Sequence, residues 1–221
     1  MSDYEDAEQV EKLKAFWDEN GKLLISAVVL STAGLFGWNW WKGEQRAYAE
    51  GASQVFEQAV DAAQASDLTM LVSHHSTLST DFPDSPYVTQ AGLRLAGLYM
   101  QRGETESAET TLRDVLARER GNLLEPVVAS RLARVLSYRG DAAQALEVLD
   151  SVGDEGTYAP LLAETRGDVQ VALGNTEAAR AAFESALTAT GQSQLIDVRL
   201  VEMKLADLGA APVVATEAET P

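Results

Sequence analysis

The segment LRLAGLYMQRGETESAETTLRDVL, residues 93–116, contains one unit of a repeat that recurs twice further along the chain. When Gly103 is aligned with Gly140 and Gly174, which follow at intervals of 37 and 34 residues, the surrounding residues fall into register. An internal period of this length is typical of stacked supersecondary units. The repeat therefore decides the fold, and the other segments are interpreted around it.

Residue types recur at fixed places around each glycine of the repeat. The residue seven places before is small, the residue five places after is alanine, and the residue nine places after is large and apolar. These residues are, in turn, Ala96, Ala133 and Gly167; Ala108, Ala145 and Ala179; and Leu112, Leu149 and Phe183. An acidic or amide residue follows each glycine, so we expect the glycine to end one helix in a left-handed conformation and its successor to begin the next. The pattern predicts helical hairpins whose small residues allow close approach and whose large residues fill the space between neighbours.

Further helices are predicted on both sides of the repeats. Tyr48–Ala65 and Leu68–Thr80 have amphipathic patterns and could form a degenerate fourth hairpin, and Tyr87–Arg102 begins the first clear unit. Gln192–Leu208 has the length and apolar spacing of a capping helix, and residues 209–221 are predicted to be a flexible tail. We therefore predict an all-α protein with a helical-hairpin solenoid.

An uncharged apolar segment, Leu23–Trp41, lies between Lys22 and Lys42. Its nineteen residues would form a helix of roughly 28 Å at 1.5 Å per residue, which matches the hydrocarbon core of a bilayer. A buried core helix and a cleaved signal peptide, with a small-x-small site at 47–49, are the alternatives. Tryptophans cluster near its far end and Phe16-Trp17 precede its near end, as expected at lipid–water interfaces. We predict a transmembrane helix over residues 23–41.

The basic residues on either side of this segment predict its orientation. Three lysines precede it, and one lysine and one arginine follow it: Lys12, Lys14 and Lys22, then Lys42 and Arg46. The positive-inside rule therefore favours, by one charge, an N-terminal arm, residues 1–22, in the cytoplasm. The repeat domain, residues 42–208, would then lie on the other side of the membrane.

The composition argues against several classes of function. The net charge of −17 and the lack of a basic cluster with interleaved aromatics make nucleic acid an unlikely partner. The absence of cysteine excludes disulfides and thiolate sites, and no phosphate-binding loop or nucleophile elbow is present. The only histidines, His74 and His75, are adjacent and favour an exposed or interfacial pair over a metal site. We expect no catalytic residue, metal or cofactor, and predict that the protein is not an enzyme.

The first helices of such hairpins line the inner face of a superhelix, where a peptide can bind. Arg94 and Arg131 occupy the same place, nine residues before their glycines, and Arg134 and Tyr138 follow on the second unit. These four side chains are the predicted peptide-binding groove, because arginines could bind a carboxylate or the backbone carbonyls of an extended peptide. In the alternative, the arginines only pair with Glu164, Asp168 or other acids across repeats.

The repeat resembles the tetratricopeptide repeat, whose period is 34 residues. The third unit, from Gly167 through Phe183 to Ala186, matches that signature best. The first unit matches in the five residues Leu95, Ala96, Tyr99, Ala108 and Leu112. The first two units lack the closing proline, and the second has Leu136 where the first has Tyr99. The resemblance implies a protein-binding scaffold.

Nearly the whole chain also resembles the YfgM family of ancillary subunits of the bacterial SecYEG translocon. The residues that carry this resemblance are Phe16-Trp17, Glu19-Asn20-Gly21-Lys22, Gly37-Trp38 and Arg131-Leu132-Ala133-Arg134-Val135. The resemblance implies a single-pass inner-membrane protein with a periplasmic repeat domain. The implied partners are SecYEG, the membrane-bound periplasmic chaperone PpiD, the lipid bilayer, and emerging secretory or outer-membrane proteins. A regulator of an envelope stress response that sequesters a signalling protein is the alternative function.

Overall fold

The computed structural model describes residues 2–152, 156–189 and 195–209, and all regular secondary structure within these ranges is helical. The helices are α1 (Ser2–Gln64), α2 (Leu68–Asp81), α3 (Tyr87–Gln101), α4 (Thr105–Arg118), α5 (Glu125–Tyr138), α6 (Ala142–Asp150), α7 (Ala159–Ala172), α8 (Thr176–Ala189) and α9 (Val198–Gly209). The all-α prediction is confirmed. The predicted tail beyond residue 209 and the start of the predicted capping helix, 192–194, lie outside the described residues.

The chain divides into a unit of residues 1–52 and a unit that begins at Ser53. The N-terminal arm, the apolar segment and the predicted run Tyr48–Ala65 are not separate helices, because α1 continues without a break through Gln64. In the first unit, apolar side chains of this helix are exposed, among them Leu30 (73%), Phe36 (73%) and Trp40 (76%). By length and composition, α1 contains a segment that could cross a membrane.

Three helical hairpins, α3–α4, α5–α6 and α7–α8, turn at the glycines of the repeat. Gly103, Gly140 and Gly174 have φ values of 77°, 91° and 74°, which is the left-handed conformation predicted for them. After each glycine, the backbone N–H of the next residue donates to the carbonyl five residues earlier, at 2.9 Å in all three turns. These bonds satisfy carbonyls at the end of the first helix. The side chains of Glu104 and Asp141 make no capping hydrogen bond, so they begin the second helix without capping it.

The end of α1 and helix α2 form a fourth hairpin of the same design. Ser66 takes the place of the glycine with φ of 54°, and the N–H of Asp67 donates to the carbonyl of Ala62 at 2.8 Å. The Asp67 carboxylate then accepts from the N–H of Met70 and caps α2. Ser66 lies 37 residues before Gly103, so the degenerate hairpin continues the repeat.

Helix α9 follows the last hairpin and begins six residues later than predicted. The Asp197 carboxylate accepts hydrogen bonds from the backbone N–H groups of Arg199 and Leu200, at 3.0 and 3.3 Å. An aspartate that bonds these amides caps a helix N-terminus, so the helix begins at Val198. Val201 on α9 is buried in one cluster with Phe183 and Ala186 of α8, which closes the core at this end of the repeats.

Small and large residues of the repeat meet inside the third hairpin. A Cβ atom placed on Gly167 would overlap the ring of Phe183, which is buried. In the first two hairpins the same two places hold alanine and leucine, and all four of these side chains are buried in one core cluster: Ala96 with Leu112, and Ala133 with Leu149. Gly167 and Phe183 therefore together fill the space that an alanine and a leucine fill in each of the first two hairpins.

His75 takes the place of the large apolar residue in the first of the four hairpins, nine residues after Ser66. Its Nε2 atom is buried and has no hydrogen-bond partner among the described residues, and it faces Gly92 of α3. Burial and the nearby charge of Arg118 lower the pKa of this imidazole below its ordinary value of 6.5, against the opposing effect of Asp114. His75 therefore lies at the interface between α2 and α3. This is one of the two placements, exposed or interfacial, that were predicted for the histidine pair.

Replacing Gly167 by alanine should lower the free energy of unfolding by about 1–3 kcal/mol, because the added methyl group overpacks the contact with Phe183. The double variant Gly167→Ala/Phe183→Leu recreates the alanine–leucine pair of the other hairpins and should recover part of this loss. Chemical denaturation of the full-length protein in detergent, followed by circular dichroism, measures both. Additive losses in the double variant would contradict the assigned contact.

The stability of the protein should fall as the pH drops below about 6.5, partly through His75. The folded state keeps this imidazole neutral, so the unfolded chain takes up a proton first as the pH falls, which favours unfolding. His75→Leu should therefore reduce the difference in unfolding free energy between pH 7.5 and pH 5.5. His74→Gln is the matched control and should keep that difference; equal effects of the two substitutions would show that His75 is not the source.

Candidate peptide-binding groove

Two adjoining depressions lie along helices α3 and α5. The first, called here the apolar depression, has a volume of about 310 Å³ and is lined by Leu93, Ala96, Gly97, Met100, Leu112, Arg131, Arg134, Val135 and Tyr138. The second, the polar depression, has a volume of about 410 Å³ and is lined by Val60, Ala63, Gln64, Leu93, Arg94, Gly97, Leu98, Gln101 and Arg131. The two share Leu93, Gly97 and Arg131, and together they form the groove.

All four side chains predicted for a peptide-binding groove line it. Arg94 lies in the polar depression, Arg134 and Tyr138 lie in the apolar depression, and Arg131 lies between the two. The regular spacing of the hairpins brings these residues together, since each stands on the first helix of its hairpin. The structure thus places the predicted residues around one surface.

Arg94 is held above an aromatic pair. Its guanidinium carbon lies 5.5 Å from the ring centroid of Phe56, and the Phe56 ring stacks on Tyr87 with centroids 4.7 Å apart. A cation over an aromatic face is favourable without neutralising the positive charge. Arg94 is therefore oriented while its charge stays available to the groove.

Arg131 has no carboxylate partner among the described residues. Partial burial, followed by the positive charges of Arg134 and Arg94, lowers the pKa of its guanidinium from the ordinary value, although the group remains protonated at any physiological pH. Arg134 and Arg94 are thus close enough to Arg131 for their positive charges to repel it, and an anion bound at Arg131 would relieve this repulsion.

Arg134 belongs to a network of charges that joins α5, α7 and α9. Its guanidinium lies 3.7 Å from the buried carboxylate of Glu164 and 3.9 Å from Asp168. Lys204 Nζ donates to the same two carboxylates at 2.9 and 2.6 Å. The pairing of groove arginines with these acids, the alternative in the sequence analysis, is therefore present for Arg134, but neither Arg94 nor Arg131 makes such a pair within the described residues.

Tyr138 stands at the rim of the apolar depression, where 76% of its surface is exposed. A large exposed aromatic side chain beside an apolar depression is typical of a binding surface, because it offers contact area at little entropic cost. The phenol lies at the last residue of α5, just before the turn at Gly140.

The apolar part of the groove was not predicted from the sequence. Leu93 and Met100 of α3 come together with Val135 of α5, and Leu112 of α4 lies among them. A signal was available in Gly97, because glycine in a helix interior is less stable than alanine. Its position in the middle of α3 could have indicated a place that must stay open.

A larger depression, about 480 Å³, lies at Pro83–Thr89 and Arg118–Leu124. Its polar groups are bonded to one another: Arg118 donates to the carbonyl of Pro83 at 3.4 Å, and the Thr89 hydroxyl donates to Glu119. We therefore regard the groove as the better candidate site. In the part of the chain that the structure describes, no three His, Asp or Glu side chains are grouped so that they could hold a metal ion.

The chain is similar to known proteins over nearly its whole length. Residues 14–210 match the family described as Tetratricopeptide repeat-like domain. The Ancillary SecYEG translocon subunit of Escherichia coli (strain K12) is 31% identical over 201 residues, which cover 91% of this chain and 95% of that protein. A protein of the same name from Aggregatibacter actinomycetemcomitans is 32% identical over 206 residues, which cover 89% of this chain and 96% of that protein.

The fold is similar to that of a solved tetratricopeptide repeat protein from Parabacteroides merdae ATCC 43184, with a TM-score of 0.51 at 16% identity. The match covers 72% of this chain and 58% of that protein. At this identity the likeness concerns the fold alone. The tetratricopeptide-like fold that the sequence predicts is confirmed.

Replacing Lys204 by methionine should lower the free energy of unfolding by about 1–3 kcal/mol, because Glu164 is buried and would lose its closest cationic partner. Arg113→Met is the control: Arg113 pairs with Glu109 at a more exposed site, so its loss should change stability by less than about 1 kcal/mol. Denaturation of the full-length protein measures both. An equal effect of the two substitutions would show that the network does not hold α9 in place.

Proposed function

The chain belongs to the YfgM family of ancillary SecYEG translocon subunits, and from this membership we propose that it is an inner-membrane scaffold that holds a protein-binding repeat domain beside the translocon. The similarity over nine-tenths of the chain is the observation that carries the proposal. A stacked helical-hairpin domain offers an extended surface for other proteins, which fits an ancillary role better than catalysis.

The membrane anchor of this proposal is the segment 23–41 of α1. Large apolar side chains of this segment, among them Leu30, Phe36 and Trp40, are exposed in the isolated chain, and exposure of such a surface to water is unfavourable, so a lipid environment would cover it. At the far end, the Trp38 and Trp41 rings lie 5.3 Å apart and Lys42 Nζ lies 5.0 Å from the Trp38 ring. Aromatic rings beside a lysine are typical of the membrane–water interface.

The charges beside the anchor support an N-terminal arm, residues 1–22, in the cytoplasm and a repeat domain, residues 42–208, in the periplasm. The near side carries three lysines and the far side two basic residues, and the side with more of them tends to stay in the cytoplasm. In this orientation the groove faces the compartment into which the translocon delivers secretory and outer-membrane proteins.

The scaffold would act on emerging chains together with the membrane-bound periplasmic chaperone PpiD. Anchoring beside the translocon raises the local concentration of the groove near its clients, so that weak contacts are sufficient. Arg94, Arg131, Arg134 and Tyr138 would contact these clients. The groove geometry supports this role because it joins apolar surface to three arginines on one side of the domain.

Affinity purification of the tagged full-length protein from mild detergent should recover SecY, SecE and SecG. A variant in which residues 23–41 are replaced by an unrelated apolar helix of equal length shows whether the anchor makes the contact, and Arg131→Gln shows whether the groove does. Failure of the full-length protein to recover any translocon subunit, while remaining folded and membrane-bound, would contradict the proposal.

Deletion of residues 1–14 separates this function from the alternative, a regulator of an envelope stress response that acts through the cytoplasmic arm. Handling of emerging chains should survive the deletion, because the groove and the apolar segment are intact. If translocon recovery persists and only the stress response changes, the arm carries a regulatory role; if client recovery is lost with the arm, the scaffold role of the groove is contradicted.

A further inference from the structure

No contact that the structure describes requires a glycine at position 97. It lies in the interior of α3, where alanine would be more stable, and a Cβ atom placed on it would meet nothing within 4 Å. Gly92, on the same helix, differs, because a Cβ atom there would approach Val115 Cγ2 to 2.5 Å. Packing within the chain therefore accounts for Gly92 but not for Gly97.

The place of Gly97 in the repeat is also unusual. It lies six residues before Gly103, and the equivalent places in the next two hairpins hold the long charged side chains of Arg134 and Asp168. In the first clear unit this place lines both depressions of the groove. The missing side chain leaves the backbone of α3 open at the place where the two depressions meet, so a second backbone can approach it closely.

The groove is cationic in a protein that is strongly acidic. Acidic residues outnumber basic ones, 34 to 17, yet no Asp or Glu lines either depression as the structure describes them, whereas three arginines do. Arg94 lies over an aromatic ring and Arg131 has no carboxylate partner among the described residues, so neither charge is neutralised within the domain. This charge arrangement is complementary to an anionic ligand that also has an apolar side chain.

We propose that the groove binds an internal, extended segment of a client polypeptide in which an apolar side chain is followed, two residues later, by an acidic one. The apolar side chain fills the space among Leu93, Met100 and Val135, the client backbone passes over Gly97, and the carboxylate lies between Arg131 and Arg94. Residues two apart lie on the same side of an extended chain, about 6.5 Å from each other, which suits two adjoining depressions. The inference rests on the proposed function and names its client.

An internal segment fits better than a chain terminus, because the depressions extend to both sides of the shared residues Leu93, Gly97 and Arg131. A chain that ended with its carboxylate between Arg131 and Arg94 would leave the rest of the polar depression, at Val60, Gln64 and Gln101, unfilled. The carboxylate is therefore assigned to an acidic side chain within the segment.

Fluorescence anisotropy with the full-length protein in detergent micelles tests this inference. The probe is a labelled peptide of glycine and serine, blocked at both ends, with one leucine and, two residues later, one glutamate. Changing the glutamate to lysine, or the leucine to serine, should each weaken binding by roughly tenfold or more. A peptide whose only carboxylate is its C-terminus should bind more weakly than the blocked peptide.

Substitutions at Arg131 and at Gly97 test the charge contact and the backbone contact separately. Arg131→Glu should reverse the preference so that the lysine peptide binds better than the glutamate peptide, whereas Arg113→Glu, on α4 and outside the depressions, should leave the preference unchanged. Gly97→Ala should raise the thermal midpoint, because it improves the helix, and yet weaken peptide binding several-fold. A merely structural glycine would not give this combination. Arg131→Gln, which should remove the preference without reversing it, covers the case in which the charge-reversed variant does not fold.

Equal affinity for the glutamate and lysine peptides, unchanged affinity in Gly97→Ala, or equal binding of the C-terminal carboxylate would each overturn the inference. Its failure is distinguishable from failure of the proposed function. Translocon recovery without peptide binding refutes the client assigned here, and peptide binding without translocon recovery refutes the scaffold role beside the translocon.

Discussion

The close approach of two helices at a small residue is the constraint on which the rest of the repeat domain depends. Within the third hairpin the ring of Phe183 lies against Gly167, and the first two hairpins hold buried alanine and leucine at the same places. Each pair sets how near the helices of a hairpin lie, and a residue in the left-handed conformation turns the chain between them. Hairpins of one shape can stack, so a single core cluster extends from α3 to α7.

Stacking in turn creates the groove. First helices of successive hairpins lie side by side, so Leu93 and Val135, more than forty residues apart in sequence, line the same apolar depression. The same arrangement brings together three arginines in an acidic protein, and it leaves two of them without a carboxylate partner among the described residues. Arg134 is different, because the network with Glu164, Asp168 and Lys204 already neutralises its charge and ties α9 to the last hairpin. Arg134 therefore also helps to join the helices, whereas Arg94 and Arg131 are the groove arginines that pair with no carboxylate among the described residues.

Much of this fold could be predicted from the sequence, because its turns and helices depend on residues that are close together along the chain. The spacing of glycines predicts the turns, and the predicted helix Leu68–Thr80 differs from the observed one by a single residue. The fourth hairpin was harder to predict, because Ser66 takes the left-handed conformation that glycine usually occupies. The alignment of the repeats relied on glycine at this place. The turn in that conformation is stabilised by hydrogen bonds from backbone N–H groups to the carbonyls of Ala62 and Ala63. Such backbone bonds do not depend on residue type, so the sequence does not reveal them.

The candidate site could be predicted in its three arginines and in Tyr138. Arginines in phase with the repeat are visible in the sequence, and all of those predicted line the groove. The shape and the other lining residues of the apolar depression could not be predicted, because they depend on how neighbouring hairpins stack, and Leu93 or Met100 in isolation is indistinguishable from a core residue; only Gly97 carried a signal. The continuity of α1 through Gln64 was not predicted either. The composition changes at residues 23 and 42 reflect what surrounds the helix, and they do not interrupt its backbone.

Site-specific photocrosslinking in intact cells tests most directly whether one face of this stacked domain contacts other proteins beside the membrane. A photoreactive amino acid at Gln101 in the groove, or at Tyr138 on its rim, should give adducts with other proteins in the membrane fraction. The same amino acid at Ala143, exposed on α6 and outside both depressions, should give few or none. Equal labelling from all three positions, or labelling from Ala143 alone, would contradict the account.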